Sequence, residues 1–552
     1  MSKPRNNYLV LLALIVGEAL LYYWFYQKEI GWFPAPNYDQ NAYLIMAYRV
    51  KEHIQREGLV SALWYAFVEA PKATGALYPM IGGSLDWLFG GARLPALATN
   101  FIGFVVLQAT LFATLRHLYG AAAAFGALGL LLIDPTAWFF AGGIFDFRMD
   151  FLVYCLWGTW ACLVLRSGLF EERGWVILTS LVAIVLVLVR FFTLVYFLGV
   201  MGGLALTLAA AWWLGANETS AKLRGRLINM LLSVFLLCAA VLPVIIGNWR
   251  SIAEYYIVGH FTGDEGAIRA AASGIASWWD HLRYYPGVIA SFHTGRRLVF
   301  VLLIMLAAVL VTLWRAPALR KIRFDTEAAL RVIFLAGCVI GPLVPLTIDV
   351  SKSVVVASVV IVPLIVLLFV LLSQFVRLDA NGPPPPLFAA ACALALAIGC
   401  FTQVSFARGG DPTSNLTRLQ KQQWINVLSE VNRLAHDRGW REVILSVDQV
   451  SDEFNHAVAT TWGYERSGIL TEFYGALGAR IFATNWAEAL RLLAQSHIVI
   501  LTDPKQPSGY PFAASYRAVE VSARAWIDEN MIEAKRLPFG QQTITIFVQK
   551  NR

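Results

Sequence analysis

Charge is what this chain has least of. Only 14% of its 552 residues are charged, against 58% apolar, whereas a soluble domain carries roughly 25% charged residues. Too few charges remain to coat the several domains into which a chain of this length would divide. The shortage excludes a soluble enzyme and a disordered chain. Cysteine is scarce as well. The six residues Cys155, Cys162, Cys238, Cys338, Cys392 and Cys400 all fall within apolar runs, which excludes a disulfide framework and a zinc-binding spacing. They read as small buried hydrophobes. The chain shows no internal repeat, which counts against an inverted-repeat transporter. Its net charge of +8 comes without the basic stripe and interleaved aromatics that would point to nucleic acid. These absences leave a polytopic α-helical membrane protein.

A membrane span needs about 20 mostly apolar residues. Such runs lie near 8–26, 96–115, 120–140, 150–166, 175–190, 192–214, 227–247, 298–314, 330–348, 353–375 and 386–403, eleven in all. The first follows Lys3 and Arg5 and has no small-residue cleavage site, so it reads as a retained anchor. With the N-terminus inside, the inner connections hold Arg116, Arg166 with Arg173, Lys222 to Arg226, Arg315 to Arg323, and Arg377. Each carries Lys or Arg, as the positive-inside rule requires. An odd number of spans then puts the C-terminus on the extracytoplasmic side, with a bacterial inner membrane as the expected location.

Three outer segments are long. The first, about 27–95, contains two amphipathic stretches at 41–57 and 60–68, which suit the membrane surface. The second, about 248–297, is rich in Tyr, Trp and His. The third follows residue 403 and has ordinary soluble composition. A charged helix (415–438) and strand (441–447) are followed by RIFAT (480–484), a helix (486–495), a strand (497–502), a helix near 514–528 and a closing strand (542–549). Strand–helix–strand order predicts a small α/β domain. The chain therefore divides into a transmembrane part, 1–403, and a soluble α/β domain, 404–552. Asp448 and Asp503 lie at expected strand ends, where open α/β sheets place ligands, but no glycine-rich phosphate loop precedes either.

The few ionisable residues beside the spans stand out, because charge is costly there and points to function by default. The first outer segment opens NYDQNAYLIMAYRV, with Asp39, and continues EAPKATGALYPMIGG, with Lys72 and Tyr78-Pro79. A short outer loop reads IDPTAWFFAGGIFDFRMDFLVY, with Asp134, Asp146, Arg148 and Asp150. An acidic residue just after the first span, a basic residue and Tyr-Pro later in that loop, and an acidic residue opening the fourth span form an arrangement similar to the GT-C superfamily. This group of polyprenyl-phosphate-sugar glycosyltransferases includes protein O-mannosyltransferases and lipid A aminoarabinose transferases. The first-loop signature of the family commonly has two adjacent carboxylates; here Asp39 is followed by Gln40.

The resemblance implies transfer of a sugar from a polyprenyl-phosphate donor to a lipid, glycan or protein acceptor, by direct displacement with inversion. A carboxylate must orient or deprotonate the acceptor, the role expected of Asp39. Cations must meet the charge developing on the departing phosphate, and Lys72, Arg148 and Lys352, the last in IDVSKSVVV, are the candidates. Tyr78 and His260 are expected to bind substrate. Asp146 and Asp150, four apart, would share a helix face and could hold a divalent cation, Mg or Mn; no linear metal signature settles that point. Plainer readings stand beside these. Asp39 could simply cap the helix after it, Asp146 and Asp150 could pair with Arg148, and Lys72 and Lys352 could anchor the interface. Arg190, between two spans, reads as a snorkelling side chain, with contact to a lipid phosphate as the alternative. A polysaccharide polymerase or ligase would instead rely on arginine and histidine of a late outer loop. A lipid-linked substrate transporter or flippase would place polar groups at mid-membrane.

Overall fold

The computed structural model describes residues 4–69, 73–139, 141–214, 217–262, 266, 269–270, 273–315, 326–376, 378, 382–409, 416–449, 451, 453–477, 486–504 and 520–550. All eleven apolar runs are helical. Nine helices among the described residues are long and apolar enough to cross a membrane. One of these, Arg93–Ile133, holds two of the expected runs and is broken at Gly120, whose φ of 86° and ψ of 173° are not helical. A side chain at such a φ is strained, so glycine permits the break there. The run at 175–190 forms the shorter helix Gly174–Val189. The helices share one apolar core, in which Trp157 and Trp160 of the helix Met149–Arg166 are fully buried.

The two amphipathic stretches of the first outer segment are the helices Tyr38–Glu57 and Leu59–Trp64. Asn37, with φ 79°, caps the first of them, its side chain accepting a hydrogen bond from the Asp39 backbone N–H at 3.0 Å. The simple capping role weighed for Asp39 thus belongs to Asn37.

The C-terminal domain contains a five-stranded mixed sheet: β1 (Glu442–Val447), β2 (Glu472–Gly475), β3 (Ile498–Asp503), β4 (Met531–Phe539) and β5 (Gln542–Gln549). The order is β2-β1-β3-β5-β4, with β1 parallel to β2 and β3, and β5 antiparallel to β3 and β4. Val443, Leu445, Ile498, Ile500, Ile544 and Ile546 form the middle of one core. Strands β1, β3 and β5 and the helices Arg418–Asp437 and Trp486–Gln495 match the sequence expectations. The helix expected near 514–528 is Glu520–Asn530 over the described residues. The RIFAT strand, Arg377 and the Lys/Arg cluster up to Arg323 lie outside them.

Two strands and a helix were not expected. Edge strand β4 alternates poorly because most of its positions are exposed. The helix His456–Ser467 is buried through Ala457 to Tyr464, since it is sandwiched between the sheet and the helix Tyr38–Glu57. There Tyr464 stacks on Tyr48 with ring centroids 4.3 Å apart, and Glu465 accepts a hydrogen bond from the Tyr48 hydroxyl at 2.9 Å. Thr461 donates to the Asn41 side chain, and Arg49 makes a two-pronged pair with Glu472 at 2.9 and 2.7 Å. The soluble domain therefore grips the helix that carries Asp39.

Candidate active site

Five connections at one end of the helical bundle converge on a cavity of about 270 Å³, lined by Asp39, Arg148, Asp150, His260 and Lys352 among others. Five residues singled out from four separate stretches of sequence thus meet. Asp39 sits in the first turn of its helix with 62% of its side chain exposed, and its Oδ2 lies 3.6 Å from Arg148 Nη1. The start of this helix is held from behind. Gln40 Nε2 donates to the Phe145 carbonyl at 3.0 Å, and Asn41 Nδ2 to the Ala35 carbonyl at 2.7 Å.

Arg148 immediately precedes the helix Met149–Arg166. Its Nε donates to Asp146 Oδ2 at 2.6 Å, and the same oxygen accepts from the Gly142 N–H at 2.5 Å. Asp146 is 1% exposed, and burial pushes its carboxyl up to about 6 despite the pull of Arg148. Burial alone would lower the Arg148 guanidinium, but Asp146, Asp150 and Asp39 together hold it above its ordinary value. Arg148 is the shared counter-ion of Asp146 and Asp39, with the charge of Asp150 adding to the field around it.

Asp150, in the first turn of that helix, pairs with Arg190. Arg190 occupies the break between the helices Gly174–Val189 and Thr193–Leu214. It lines the cavity rather than snorkelling, a correction with a clear physical cause: a half-buried carboxylate 40 residues away offers it a partner that the membrane interface does not. The first outer segment braces this break. Phe191 N–H donates to the Thr74 carbonyl at 2.8 Å, and Ala76 N–H to the Leu188 carbonyl at 3.1 Å. A Cβ at Gly75 would stand 2.1 Å from the Val189 carbonyl oxygen, so only glycine allows this approach.

The far wall comes from the connection after the helix Thr326–Ile348. Lys352 Nζ donates to the carbonyls of Leu346 and Thr347 at 2.7 and 2.8 Å, which satisfies the helix C-terminus. Burial lowers its ammonium to about 8, with Asp349 pulling the other way. Asp349 Oδ2 lies 3.0 Å from His260 Nδ1, and its Oδ1 accepts from the Ser351 N–H at 2.8 Å. Arg269 reaches the Ser351 hydroxyl at 3.3 Å and lies over the Tyr255 ring. Asp349 was overlooked in the sequence although it lies three residues from Lys352; a polar residue closing an apolar run was the available signal.

Two expected site residues stand elsewhere. Tyr78 is buried one layer behind the cavity, donating to Asn100 Oδ1 at 2.9 Å and stacking on Phe147 at 4.4 Å. Asn100 in turn donates to the Asp146 carbonyl at 2.9 Å, so Tyr78 supports the Asp146–Arg148 loop from behind. Asp146 is buried in the same loop and not on the helix, which starts at Met149. The shared helix face expected for Asp146 and Asp150 therefore does not exist, and each carboxylate already has an arginine. Among the described residues no group of three or more His, Cys, Asp or Glu side chains could hold a metal ion. The place where Asp39 and Asp146 would share a cation is taken by the Arg148 guanidinium, and Asp150 is paired with Arg190, so these residues as arranged do not fit a metal. Lys72, Asp264 and Glu265 lie outside the described residues. In the soluble domain, Asp448 is spent on the backbone N–H and hydroxyl of Thr502, at 2.7 and 3.1 Å.

Against solved structures, the chain matches ArnT from Cupriavidus metallidurans bound to undecaprenyl phosphate, with a TM-score of 0.54 and 13% identity over 99% of this chain and 98% of that one. The apo form of the same protein matches with a TM-score of 0.52 and 14% identity over 97% of both chains. The chain has the GT-C fold. The match runs through the C-terminal domain as well as the bundle, since nearly the whole of both chains is covered. A further match is an oligosaccharyltransferase from Archaeoglobus fulgidus in complex with Zn and sulfate, with a TM-score of 0.45 and 12% identity over 88% of this chain and 67% of that one. No family model and no curated protein matches the sequence.

Proposed function

We propose that this chain is an integral membrane glycosyltransferase that moves a sugar from a polyprenyl-phosphate donor to a lipid, glycan or protein acceptor. The observation that carries this reading is the cavity itself, where an exposed carboxylate, Asp39, lies 3.6 Å from a guanidinium in a wall that also holds Lys352, Arg190 and His260. In the proposed step the acceptor O–H or N–H gives its proton to Asp39, and the acceptor atom bonds to the anomeric carbon. The anomeric C–O bond breaks with its electron pair going to the polyprenyl phosphate. Arg148 and Lys352 meet the charge that develops on that phosphate, and Lys72 is assigned to the same task by its place in the first outer segment. His260, oriented by Asp349, binds substrate. Arg148 supplies the positive charge that a Mg or Mn ion would otherwise bring to Asp39 and Asp146.

Sidedness follows from the charges. Asp150 and Arg166 lie at opposite ends of the 18-residue helix Met149–Arg166, about 25 Å apart at 1.5 Å per residue, close to the thickness of a hydrocarbon core. Around the Arg166 end, Lys222 and Arg226 gather with Glu171 and Glu327. That Lys/Arg-bearing end is assigned to the cytoplasm with the N-terminus, and the cavity and C-terminal domain to the extracytoplasmic face of a bacterial inner membrane.

The test is transfer from a panel of polyprenyl-phosphate sugars in proteoliposomes. A positioned general base contributes roughly 10²–10⁴-fold, so Asp39→Asn is expected to lower turnover by about that factor while leaving donor binding in place. Full activity of this variant would remove Asp39 as the base. His260→Ala as the more damaging change would favour the polymerase or ligase reading.

A further inference from the structure

A second pair of cavities lies on another side of the bundle and shares no lining residue with the candidate active site among the described residues. The lower one, about 330 Å³, runs between the first helix, Pro4–Phe25, and the start of Arg93–Ile133, with Ala19, Tyr23, Leu94, Ala98 and Phe101 in its wall. It opens to the outside of the bundle, where Tyr23 and Phe89 are 55% and 76% exposed. The upper one, about 360 Å³, is polar and is formed by Trp32, Arg93 and the soluble-domain residues Trp462, Glu465 and Arg466. Tyr26 lines both. Tyr26 thus stands at the junction of an apolar groove at the end of two spans and a polar chamber closed by the soluble domain.

The chamber is positively charged. Arg93, 2% exposed, donates through Nη2 to the carbonyls of Ile30 and Phe33 at 2.9 and 2.6 Å, and its Nε lies 3.6 Å from Glu465. Arg466 is exposed and lies over the Trp462 ring at 4.3 Å. Arg418 and Lys421 of the helix Arg418–Asp437 lie over the Trp32 ring at 5.5 and 5.9 Å. In the chamber wall one carboxylate, Glu465, faces two cations, Arg93 and Arg466, and Arg418 and Lys421 stand against Trp32 beside it.

We propose that this two-part cleft binds a membrane lipid with an anionic phosphate headgroup. Its chains occupy the groove between the first two spans, and its phosphate occupies the chamber beneath the soluble domain. Tryptophan and arginine at the end of an apolar groove match the depth at which a lipid headgroup sits, and cations there attract anionic lipid. The assignment is independent of the transfer reaction, and it gives the soluble domain a ligand of its own.

The test uses the full chain in phosphatidylcholine nanodiscs doped with phosphatidic acid carrying a photoactivatable diazirine on its acyl chain. Identically labelled phosphatidylcholine serves as the comparison, and adducts are mapped by peptide mass spectrometry. Phosphatidic acid is expected to label residues 19–26 and 94–101 well above the phosphatidylcholine probe. Arg466→Ala removes one surface cation and is expected to lower that labelling about fivefold. Leu94→Trp and Ala98→Trp, each checked for monodispersity, fill the groove and are expected to suppress it. An excess of soluble glycerol phosphate should leave it unchanged. Equal labelling by the two lipids, labelling spread evenly over the outer helices, or persistence in both tryptophan variants would overturn the proposal. Displacement by glycerol phosphate would show a free-phosphate site and overturn the lipid assignment.

Discussion

Replacing Arg148 by Met tests whether this guanidinium is the counter-ion on which the site is built. The variant keeps an unbranched stem about as long as the arginine chain to Nε and removes the charged guanidinium, leaving Asp146 buried at 1% exposure without the partner at 2.6 Å. Breaking a buried ion pair typically costs about 3–5 kcal/mol, but a carboxyl can escape that cost by taking up a proton. In the wild type the Asp146 carboxyl stands at about 6, and each pH unit above that is worth about 1.4 kcal/mol. The escape therefore costs about 1 kcal/mol at pH 7 and about 3 kcal/mol at pH 8. The exposed pair with Asp39 adds at most about 1 kcal/mol. At pH 5 Asp146 is mostly protonated in the wild type too, so the deficit should nearly vanish. The assay is unfolding in detergent at pH 5, 7 and 8 of the wild type, Arg148→Met, Asp146→Asn and the double variant. The deficit of Arg148→Met should grow with pH, and the double variant should lose that dependence. A deficit of the same size at pH 5 and pH 8 would refute the reasoning.

Donor-phosphate binding through Lys352 needs the protonated ammonium, which burial has lowered to about 8. Affinity for polyprenyl phosphate, measured by titration, should fall roughly tenfold per pH unit above that value, and Lys352→Arg should flatten the decline. Because Arg148 occupies the place a cation would need between Asp39 and Asp146, transfer activity should survive chelation with EDTA; a loss restored by Mg or Mn would return these carboxylates to a metal. Gly75→Ala drives a Cβ to 2.1 Å from the Val189 carbonyl oxygen. Both neighbours there are backbone, so the break holding Arg190 must shift, and both thermal stability and turnover should drop, whereas Gly174→Ala, whose Cβ meets nothing within 4 Å, should change neither.

What was legible in the sequence and what was not divide along a physical line. Apolar runs announce helices because each span must satisfy its own backbone in lipid, and so the eleven runs fall in helical segments, although nine helices among the described residues are long enough to span. Arg148 and Lys352 drew notice because charge beside an apolar run is costly, Asp39 and His260 by residue type and place in the long outer segments, and all four line one cavity. Properties that belong to pairs were not legible. Arg190 looked like an interface anchor because nothing near it in sequence shows that Asp150 is its partner, and Asp349 looked idle until His260, 89 residues away, was found at 3.0 Å. The helix His456–Ser467 escaped notice because burial against two partners erases the amphipathic pattern that marks a one-sided helix. These misses share a cause. Arg190 and Asp349 act through contacts between bundle segments far apart in sequence, and the helix His456–Ser467 acts through closure of the soluble domain on the loop-bearing end of the bundle. The same closure fixes Asn41 through Thr461, two residues from Asp39, so the geometry of the proposed base depends on a domain far away in sequence.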